Sequence, residues 1–198
     1  MAKPKLLLVD GSSLAFRAFF SILDLNRFKN ANGLHTNALY SFHRMFKSIL
    51  DSEKPTHVLV AWDAGKTTFR TEMYADYKGG RSKTPGEFIE QMPYFNVLLD
   101  AWGIPHYRLN QYEADDIIGT LAKQGEAAGY EVVVLSGDKD LIQLADNNIT
   151  VKITTKGVTE LVEYTPEVIF EKYVLTPEQI IDMKGLMGDS SDNYPGVT

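Results

Sequence analysis

The chain has 198 residues, a formal net charge of −6, 44% hydrophobic residues and no cysteine. This length is enough for one domain with a buried core, and the lack of cysteine excludes disulfides and thiolate metal sites. No stretch approaches the roughly 18 apolar residues of a membrane span, and the N-terminal apolar run is too short for a signal peptide. We therefore expect a cytoplasmic protein with no membrane contact.

The first third of the chain alternates between patterns typical of strands and of helices. A continuous apolar run predicts a strand that is buried on both faces, and apolar residues at helical spacing predict the longer helix. The predicted elements are a strand at 5–9, a helix from Ser12 or Ser13 to about Ile22, a polar loop at 27–35, a helix at 36–53 and a strand at 57–62.

The same alternation continues after residue 86 and predicts an α/β fold with a mostly parallel central sheet flanked by helices. Two Thr-Pro-Glu sequences match helix starts, with threonine as the cap and proline in the first turn. The predicted elements are a helix at 87–102 with a possible break at Pro93, a strand at 104–109, a helix at 113–128, a strand at 131–136, a short helix at 139–145, a hairpin of strands 149–154 and 158–164 around Lys156-Gly157, and helices starting at Thr165 and Thr176.

Residues 64–86 interrupt this order with a long polar segment that follows a strand directly. Basic side chains outnumber acidic ones there, and three aromatic residues lie between them. A solvated surface loop is the ordinary explanation. We favour a nucleic-acid contact, because basic residues bind phosphates and aromatic rings stack on unpaired bases. The candidate contacts are Arg70, Tyr74, Tyr77, Lys78, Arg81 and Lys83.

Nine acidic residues fall into five short clusters, and several clusters follow predicted strands. Ligands of open α/β sheets bind beyond the carboxyl ends of the strands, so we expect these carboxylates to meet there. Carboxylates held a few ångströms apart raise each other's pKa or require cations, and hard divalent ions prefer oxygen ligands. The nine are Asp10, Asp63, Glu113, Asp115, Asp116, Asp138, Asp140, Asp189 and Asp192.

Each cluster alone has an ordinary explanation as a helix cap, a turn or a complement to a helix dipole. Three acids within the four residues 113–116 exceed what a helix start needs. Leaving the nine acids out of the count turns the net charge of the chain positive. The acidic overall charge is therefore compatible with nucleic-acid binding once metal ions neutralise the cluster.

Other kinds of active site find little support in the sequence. There is no Gly-x-Gly-x-x-Gly motif and no P-loop, which argues against a dinucleotide or nucleoside triphosphate site. The four histidines lack ligand spacing, and Ser12 and Ser13 have no histidine nearby to activate them.

Five motifs in order resemble the 5′-nuclease (5′-3′ exonuclease) domain of bacterial DNA polymerase I, of the flap endonuclease family with a PIN-like core. The resemblance runs from about residue 5 to the last residue. The motifs are LLLVDGSSLAFRAFF, VAWDAGKTTFRTEMYADYKGGR, YEADDIIGTLA, VLSGDKDLIQL and MGDSSDNYPGV.

The resemblance implies a phosphodiester hydrolase with two divalent ions, Mg²⁺ or Mn²⁺, held by the nine acids. It implies that 64–86 forms a helical arch or loop over the acidic cleft and that Lys78, Arg81 and Asp116 act in catalysis, with Tyr77 stacking near the scissile phosphate. Residues 1–198 are then one catalytic domain. The family's helix–hairpin region, which grips duplex DNA, would begin where this sequence ends, so we expect a fragment with weakened activity.

The implied substrates are DNA 5′ flaps, DNA 5′ ends, nicked duplexes and RNA–DNA primer junctions, in replication and repair. We expect a monomer, with a polymerase domain following in the same polypeptide. The alternatives are a stand-alone bacterial flap endonuclease, a PIN-type ribonuclease, a catalytically weak DNA-binding module and a phosphatase for small substrates. The complete set of acids argues against the binding module, and the basic aromatic segment argues against the phosphatase.

Overall fold

A six-stranded sheet forms the centre of the molecule in a computed structural model that describes residues 3–22, 24–65, 67–155 and 160–197. The strand order is β3-β2-β1-β4-β5-β6, with β1 to β5 parallel and β6 antiparallel to β5. The predicted mostly parallel α/β sheet is thereby confirmed. The strands are Lys5–Asp10 (β1), His57–Trp62 (β2), His106–Arg108 (β3), Glu131–Ser136 (β4), Ile149–Thr154 (β5) and Leu161–Tyr164 (β6).

Helices cover both faces of this sheet, and the chain ends with a small two-stranded ribbon. The helices are Gly11–Phe20 (α1), Asn37–Glu53 (α2), Phe69–Met73 (α3), Gly86–Ile89 (α4), Met92–Ala101 (α5), Ala114–Ala127 (α6), Pro166–Tyr173 (α7) and Pro177–Met187 (α8). Two 3₁₀ turns span Leu25–Phe28 and Lys139–Leu144, and the ribbon pairs Gly188–Asp189 (β7) with Tyr194–Pro195 (β8).

The sheet separates two hydrophobic cores. Leu7 on β1 packs into the core shared with α1, α2 and α5, whereas the next residue, Leu8, packs into the core shared with α6, α7 and α8. Successive residues of a strand point to opposite faces, so a strand between two cores must be apolar at every position. The apolar run at 6–9 reflects this, and each such side chain contributes about 1.5–3 kcal/mol on full burial.

Helix boundaries agree with the sequence in most places, and the start of α1 is the clearest correction. The cap of α1 is Asp10 rather than Ser12 or Ser13, because Asp10 Oδ1 accepts the backbone N–H of Ser13 at 2.9 Å. Any of these consecutive residues is a good cap, so composition alone does not select one. α1 also ends at Phe20, two residues before the predicted Ile22.

The remaining helix starts follow the predicted signals. Thr165 and Thr176 cap α7 and α8, each accepting a backbone N–H three residues later. The helix expected at 87–102 is divided into α4 and α5, and Pro93 lies in the first turn of α5. The predicted hairpin is present as β5 and β6, although its Lys156-Gly157 turn lies outside the described residues.

The strand order reverses beside β1. β2 and β3 lie on one side of β1, and the next strand along the chain, β4, lies on the other side. In open α/β sheets this reversal leaves a crevice beyond the carboxyl ends of the strands. Among the described residues, no helix is both long enough and apolar enough to cross a bilayer.

Candidate active site

An open cleft of about 610 Å³ lies at the carboxyl edge of the sheet, and seven of the nine predicted acids line it. These seven are Glu113, Asp115, Asp116, Asp138, Asp140, Asp189 and Asp192. Asp10 and Asp63 end or follow the neighbouring strands β1 and β2. The fold therefore gathers acids from distant parts of the sequence at one edge.

Four of these acids form a group that we call the inner acids, in which the charges of some members act on Asp10 and Asp115. They are Asp10, Asp63, Asp115 and Asp138. Burial, with smaller contributions from the charges of Asp63 and Asp138, raises the pKa of Asp10 to about 6 despite the hydrogen bonds from Ser13 and Ser136. Burial, followed by the charges of the other three inner acids, holds the pKa of Asp115 well above its usual value. Burial and then the neighbouring charges of Asp140 and Asp192 raise the pKa of Asp138. Ionising Asp10, Asp115 and Asp138 together at neutral pH is therefore costly.

Asp10 is fixed at the junction of β1 and β4, with 4% of its surface exposed. Its Oδ2 accepts the Ser136 hydroxyl at 2.6 Å, and the same hydroxyl oxygen accepts the backbone N–H of Asp138 at 2.9 Å. The Gly137 backbone between them donates to Ser13 Oγ, and a Cβ at Gly137 would come within 2.5 Å of that oxygen. Glycine is thus required for the loop after β4 to approach α1 this closely.

Asp63 links β2 to the start of α6. Its Oδ1 accepts the backbone N–H of Ala114 at 2.8 Å, and its own N–H donates to Ser12 Oγ at 3.0 Å. Ser12 and Ser13, which the sequence suggested as helix caps, therefore accept hydrogen bonds from neighbouring loops instead. Neither this role nor that of Ser136 was predicted, because each joins residues far apart in the sequence.

The other five acids each contact a basic side chain, and we call them the bridged acids. They are Glu113, Asp116, Asp140, Asp189 and Asp192. Their partners are Lys78 for Glu113, Arg70 for Asp116, Lys184 for both Asp140 and Asp189, and Arg81 for Asp192, at 2.6–2.8 Å. Within the described ranges, none of the inner acids forms an ion pair.

Arg70 binds Asp116 through two parallel hydrogen bonds of 2.7 and 2.8 Å. Asp116 also accepts the backbone N–H of Glu113 at 2.9 Å, which fixes the first turn of α6. Burial tends to raise the pKa of Asp116, but the hydrogen bonds from Arg70 and Glu113, with the nearby positive charges, bring it below its usual value. Asp116 is therefore ionised and oriented by the protein itself.

Lys184, in the last turn of α8, contacts Asp140 and Asp189 at 2.7 Å each. The hydrogen bonds of Asp189 with Lys184 and Ser191 hold its pKa far below the usual value. Sequence reasoning missed Lys184. The available signal was its place one helical turn before the GDSSDN motif.

Residues 69–81, which we call the docked part of the 64–86 segment, lie against the cleft through Arg70, Tyr77, Lys78 and Arg81. They contain α3, which the polar pattern did not predict. Tyr77, which we expect to stack near the scissile phosphate, packs against the cleft in this structure. Only 6% of its surface is exposed, and its hydroxyl donates to Glu113 Oε2 at 2.9 Å. Tyr74 stacks on Tyr194 with ring centroids 5.3 Å apart. Lys83 is exposed beyond this docked part.

The carboxylates lie at one edge of the sheet but do not surround a common point. Across residues 3–22, 24–65, 67–155 and 160–197, no three His, Asp or Glu side chains converge closely enough to enclose an ion. Mutual repulsion among the inner acids and the pull of basic side chains on the bridged acids account for this spacing. Small side-chain movements would be needed to form an ion-binding group.

Comparison with known proteins places this geometry among nucleases. A family model described as "5′-3′ exonuclease, N-terminal resolvase-like domain" matches residues 5–174. DNA polymerase I of Lactococcus lactis subsp. cremoris is 61% identical over 199 residues, covering 99% of this chain and 23% of that protein. DNA polymerase I of Bacillus subtilis is 63% identical over 195 residues, covering 98% and 22%. The chain thus spans about a quarter of the length of the curated relatives it matches.

Solved structures give the same result at lower identity. The T5 5′-exonuclease with bound zinc ions has a TM-score of 0.73 and 27% identity, covering 98% of this chain and 70% of that one. A T5 flap endonuclease in complex with DNA and metal ions has a TM-score of 0.71 and 27% identity, with the same coverage. The flap endonuclease-1 of Methanococcus jannaschii, at 19% identity and a TM-score of 0.58, shares the fold.

Proposed function

This chain belongs to the 5′-3′ exonuclease family, N-terminal resolvase-like domain, and on that premise we propose that it hydrolyses phosphodiester bonds at DNA 5′ ends and 5′ flaps with divalent metal ions. The observation that carries the proposal is the group of inner acids at the switch point of the sheet. Burial and mutual repulsion raise the pKa of Asp10, Asp115 and Asp138, so these carboxylates gain most from a cation.

The donor set fits hard divalent cations. Every proposed ligand atom is a carboxylate oxygen, and Mg²⁺ and Mn²⁺ prefer oxygen, whereas softer metals prefer thiolate or imidazole. We assign Asp10, Asp63, Asp115 and Asp138 to a first ion, and the bridged acids Asp140, Asp189 and Asp192 to a second. When bound, such ions make water a stronger nucleophile near neutral pH and offset negative charge on a phosphoryl group.

Lys78 and Arg81 supply positive charge at the mouth of the cleft. Their present partners, Glu113 and Asp192, are carboxylates, and a DNA phosphate offers the same kind of acceptor. Exchanging a carboxylate for a phosphate would place both cations on the substrate, where they stabilise the charge that builds during cleavage. Arg70 would remain on Asp116 and keep the start of α6 in position.

DNA is the proposed partner, bound between the cleft and residues 64–86. The basic side chains at the cleft mouth support this, as do the T5 relatives solved with DNA. Relatives named DNA polymerase I, of which this chain covers 23%, support action in replication and repair beside a polymerase in the same polypeptide. Processing of RNA primer ends and a cytoplasmic, nucleoid-associated location belong to the same proposal.

The proposal is tested by cleavage of a 5′-labelled flap duplex in Mg²⁺ or Mn²⁺ and, in parallel, in EDTA. We expect metal-dependent cutting near the junction, lost in Asp115→Asn and retained in Asp146→Asn. Asp146 is a suitable control because it is an acid outside the cleft, paired with Lys123. Cutting in EDTA, or full activity of Asp115→Asn, would contradict the proposal.

A further inference from the structure

Lys184 is a basic side chain of the cleft that contacts two of the nine acids at 2.7 Å each. Its ammonium group reaches Asp140 Oδ1, at the start of the 3₁₀ turn after β4, and Asp189 Oδ2, just beyond α8. The two carboxylates, 49 positions apart, are thus brought to one point by a cation that belongs to the protein.

The second carboxylate oxygen of Asp189 also accepts hydrogen bonds from the protein. Its Oδ1 accepts the backbone N–H of Ser191 at 2.8 Å and the Ser191 hydroxyl at 2.6 Å. An added ion that used Asp189 would first have to displace the ammonium group of Lys184 from Oδ2. Asp140 is held on one oxygen only, so it is the more available of the two.

The inner acids are in the opposite situation. Asp10, Asp115 and Asp138 have raised pKa values because burial and like charges disfavour their ionised forms, and a divalent cation would relieve this cost directly. A cation entering beside Asp140 and Asp189 finds their charge already partly neutralised. Electrostatics alone therefore favours binding of an added ion at the inner acids over binding between Asp140 and Asp189.

We propose that Lys184 is a built-in competitor for the second metal ion, occupying its position between Asp140 and Asp189 until the ion displaces it. The inner acids then take up the first ion, and Lys184 weakens uptake of the second. This inference rests on the proposed function, since it assumes that both halves of the cleft bind divalent ions. Lys184 is a positioning residue here, because it acts through the two carboxylates.

The test is a titration of the metal-free protein with Mn²⁺ in the absence of DNA. Binding is monitored by calorimetry and by the electron paramagnetic resonance signal of free Mn²⁺. In the wild type we expect one tighter and one weaker class of ion. Removing the ammonium charge in Lys184→Met should tighten the weaker class by about tenfold or more, because a unit charge at contact distance is lost. The tighter class should be unchanged.

Three variants make the result specific. Lys184→Arg keeps the charge and should retain the wild-type titration. Lys184→Gln removes the charge but keeps a hydrogen-bond donor, so it provides the test if Lys184→Met folds poorly. Lys123→Met is the matched control, because Lys123 also contacts two carboxylates, those of Asp146 and Glu126, outside the cleft. It should leave both classes of ion unchanged.

The outcomes separate the two proposals. Asp10→Asn should abolish the tighter class while the weaker class still responds to Lys184. If the wild type binds Mn²⁺ at the inner acids but folded Lys184→Met and Lys184→Gln leave the weaker class unchanged or weaker still, the competitor role is wrong and the proposed function stands. If the wild type binds no Mn²⁺ at all, both are wrong.

Discussion

The inner acids and the bridged acids lie at the same edge of the sheet, but their negative charges are stabilised in different ways. The inner acids come from strand ends, the loop after β4 and the first turn of α6. Three of them, Asp10, Asp63 and Asp138, accept hydrogen bonds from hydroxyl or backbone N–H groups. The bridged acids are held by lysine and arginine side chains, as Asp116 is by Arg70. Hydrogen bonds fix the orientation of a carboxylate, whereas an ion pair also cancels its charge.

This difference indicates which part of the proposed site would gain most from an added cation. A buried carboxylate held by neutral donors keeps a high energetic cost of ionisation, and only a cation removes that cost. A carboxylate bonded to arginine or lysine is already compensated. We therefore expect metal ions to dominate the behaviour of the inner acids, and the protein's own basic residues to dominate the behaviour of the bridged acids.

The largest expected effect is on catalytic activity, and it distinguishes the inner acids from the bridged acids. Asp138→Asn removes charge from the inner acids and should lower kcat/KM for flap cleavage by about 10³-fold, since metal-assisted charge stabilisation is worth several kcal/mol. Asp192→Asn removes a bridged acid and should cost about tenfold. Steady-state rates at saturating Mg²⁺ measure both. Equal losses would mean that the division into inner and bridged acids has no catalytic meaning.

The next effect concerns metal removal. Adding Mn²⁺ at about 100 times its dissociation constant should raise the free energy of unfolding by about 2.7 kcal/mol, because the ion binds the folded state only. Thermal unfolding with Mn²⁺ and with EDTA measures this shift. Asp115→Asn should remove most of it, whereas Asp146→Asn should keep it. A shift that persists in Asp115→Asn would place the ion elsewhere.

A third prediction uses the raised pKa of Asp10, which is about 6 in the folded protein. The unfolded chain releases this proton at lower pH, so the metal-free protein loses stability as pH rises from about 4 to 6 and does not regain it above. Asp10→Asn, which can still cap α1, should therefore be more stable than the wild type by about 1–3 kcal/mol at pH 8 in EDTA.

The difference between the two proteins should vanish only below about pH 3.8, the ordinary pKa of this carboxyl, where it is protonated in the folded and the unfolded state alike. Urea unfolding at the two pH values measures it. A variant that is less stable than the wild type at pH 8 would show that the hydrogen bonds of Asp10 outweigh its burial.

The smallest effect concerns the docked part of residues 64–86. Tyr194→Ala removes the ring that stacks on Tyr74, an interaction worth about 0.5–1.5 kcal/mol. We expect faster tryptic cleavage after Arg81 and Lys83, with a change in flap cleavage below about threefold. Tyr107→Ala is the control, because Tyr107 is an exposed tyrosine on the edge strand β3. If trypsin cleaves Tyr194→Ala no faster than the wild type, other contacts hold this segment in place.

The sequence was most informative where local chemistry decides the structure. Apolar runs located β1, β2 and β4, and the acids that end or follow them, such as Asp10 and Asp63, reach the carboxyl edge because parallel strands end there together. Thr165 and Thr176 marked helix starts because a hydroxyl cap followed by proline has few other uses. These features depend on neighbours within a few positions.

Contacts between distant residues were not accessible in the same way. Arg70 and Asp116 are 46 positions apart, and their pairing depends on where α3 and α6 are placed by the sheet. The burial of Tyr77 likewise depends on Glu113 facing it across the cleft. A polar, aromatic segment is compatible with solvent, DNA or the protein itself, and only the tertiary structure distinguishes among them. The metal-ligand and DNA-contact assignments stay predictions.

The ion pairs of the bridged acids have a consequence for how the protein is made. Small zinc domains remain unfolded until their metal arrives, because unscreened ligands cannot be brought together without it. Here Lys78, Arg70, Lys184 and Arg81 supply counter-charges from within the chain. We therefore expect the chain to fold before any metal ion binds. Under the proposed function, a shortage of metal would then lower activity without unfolding the protein.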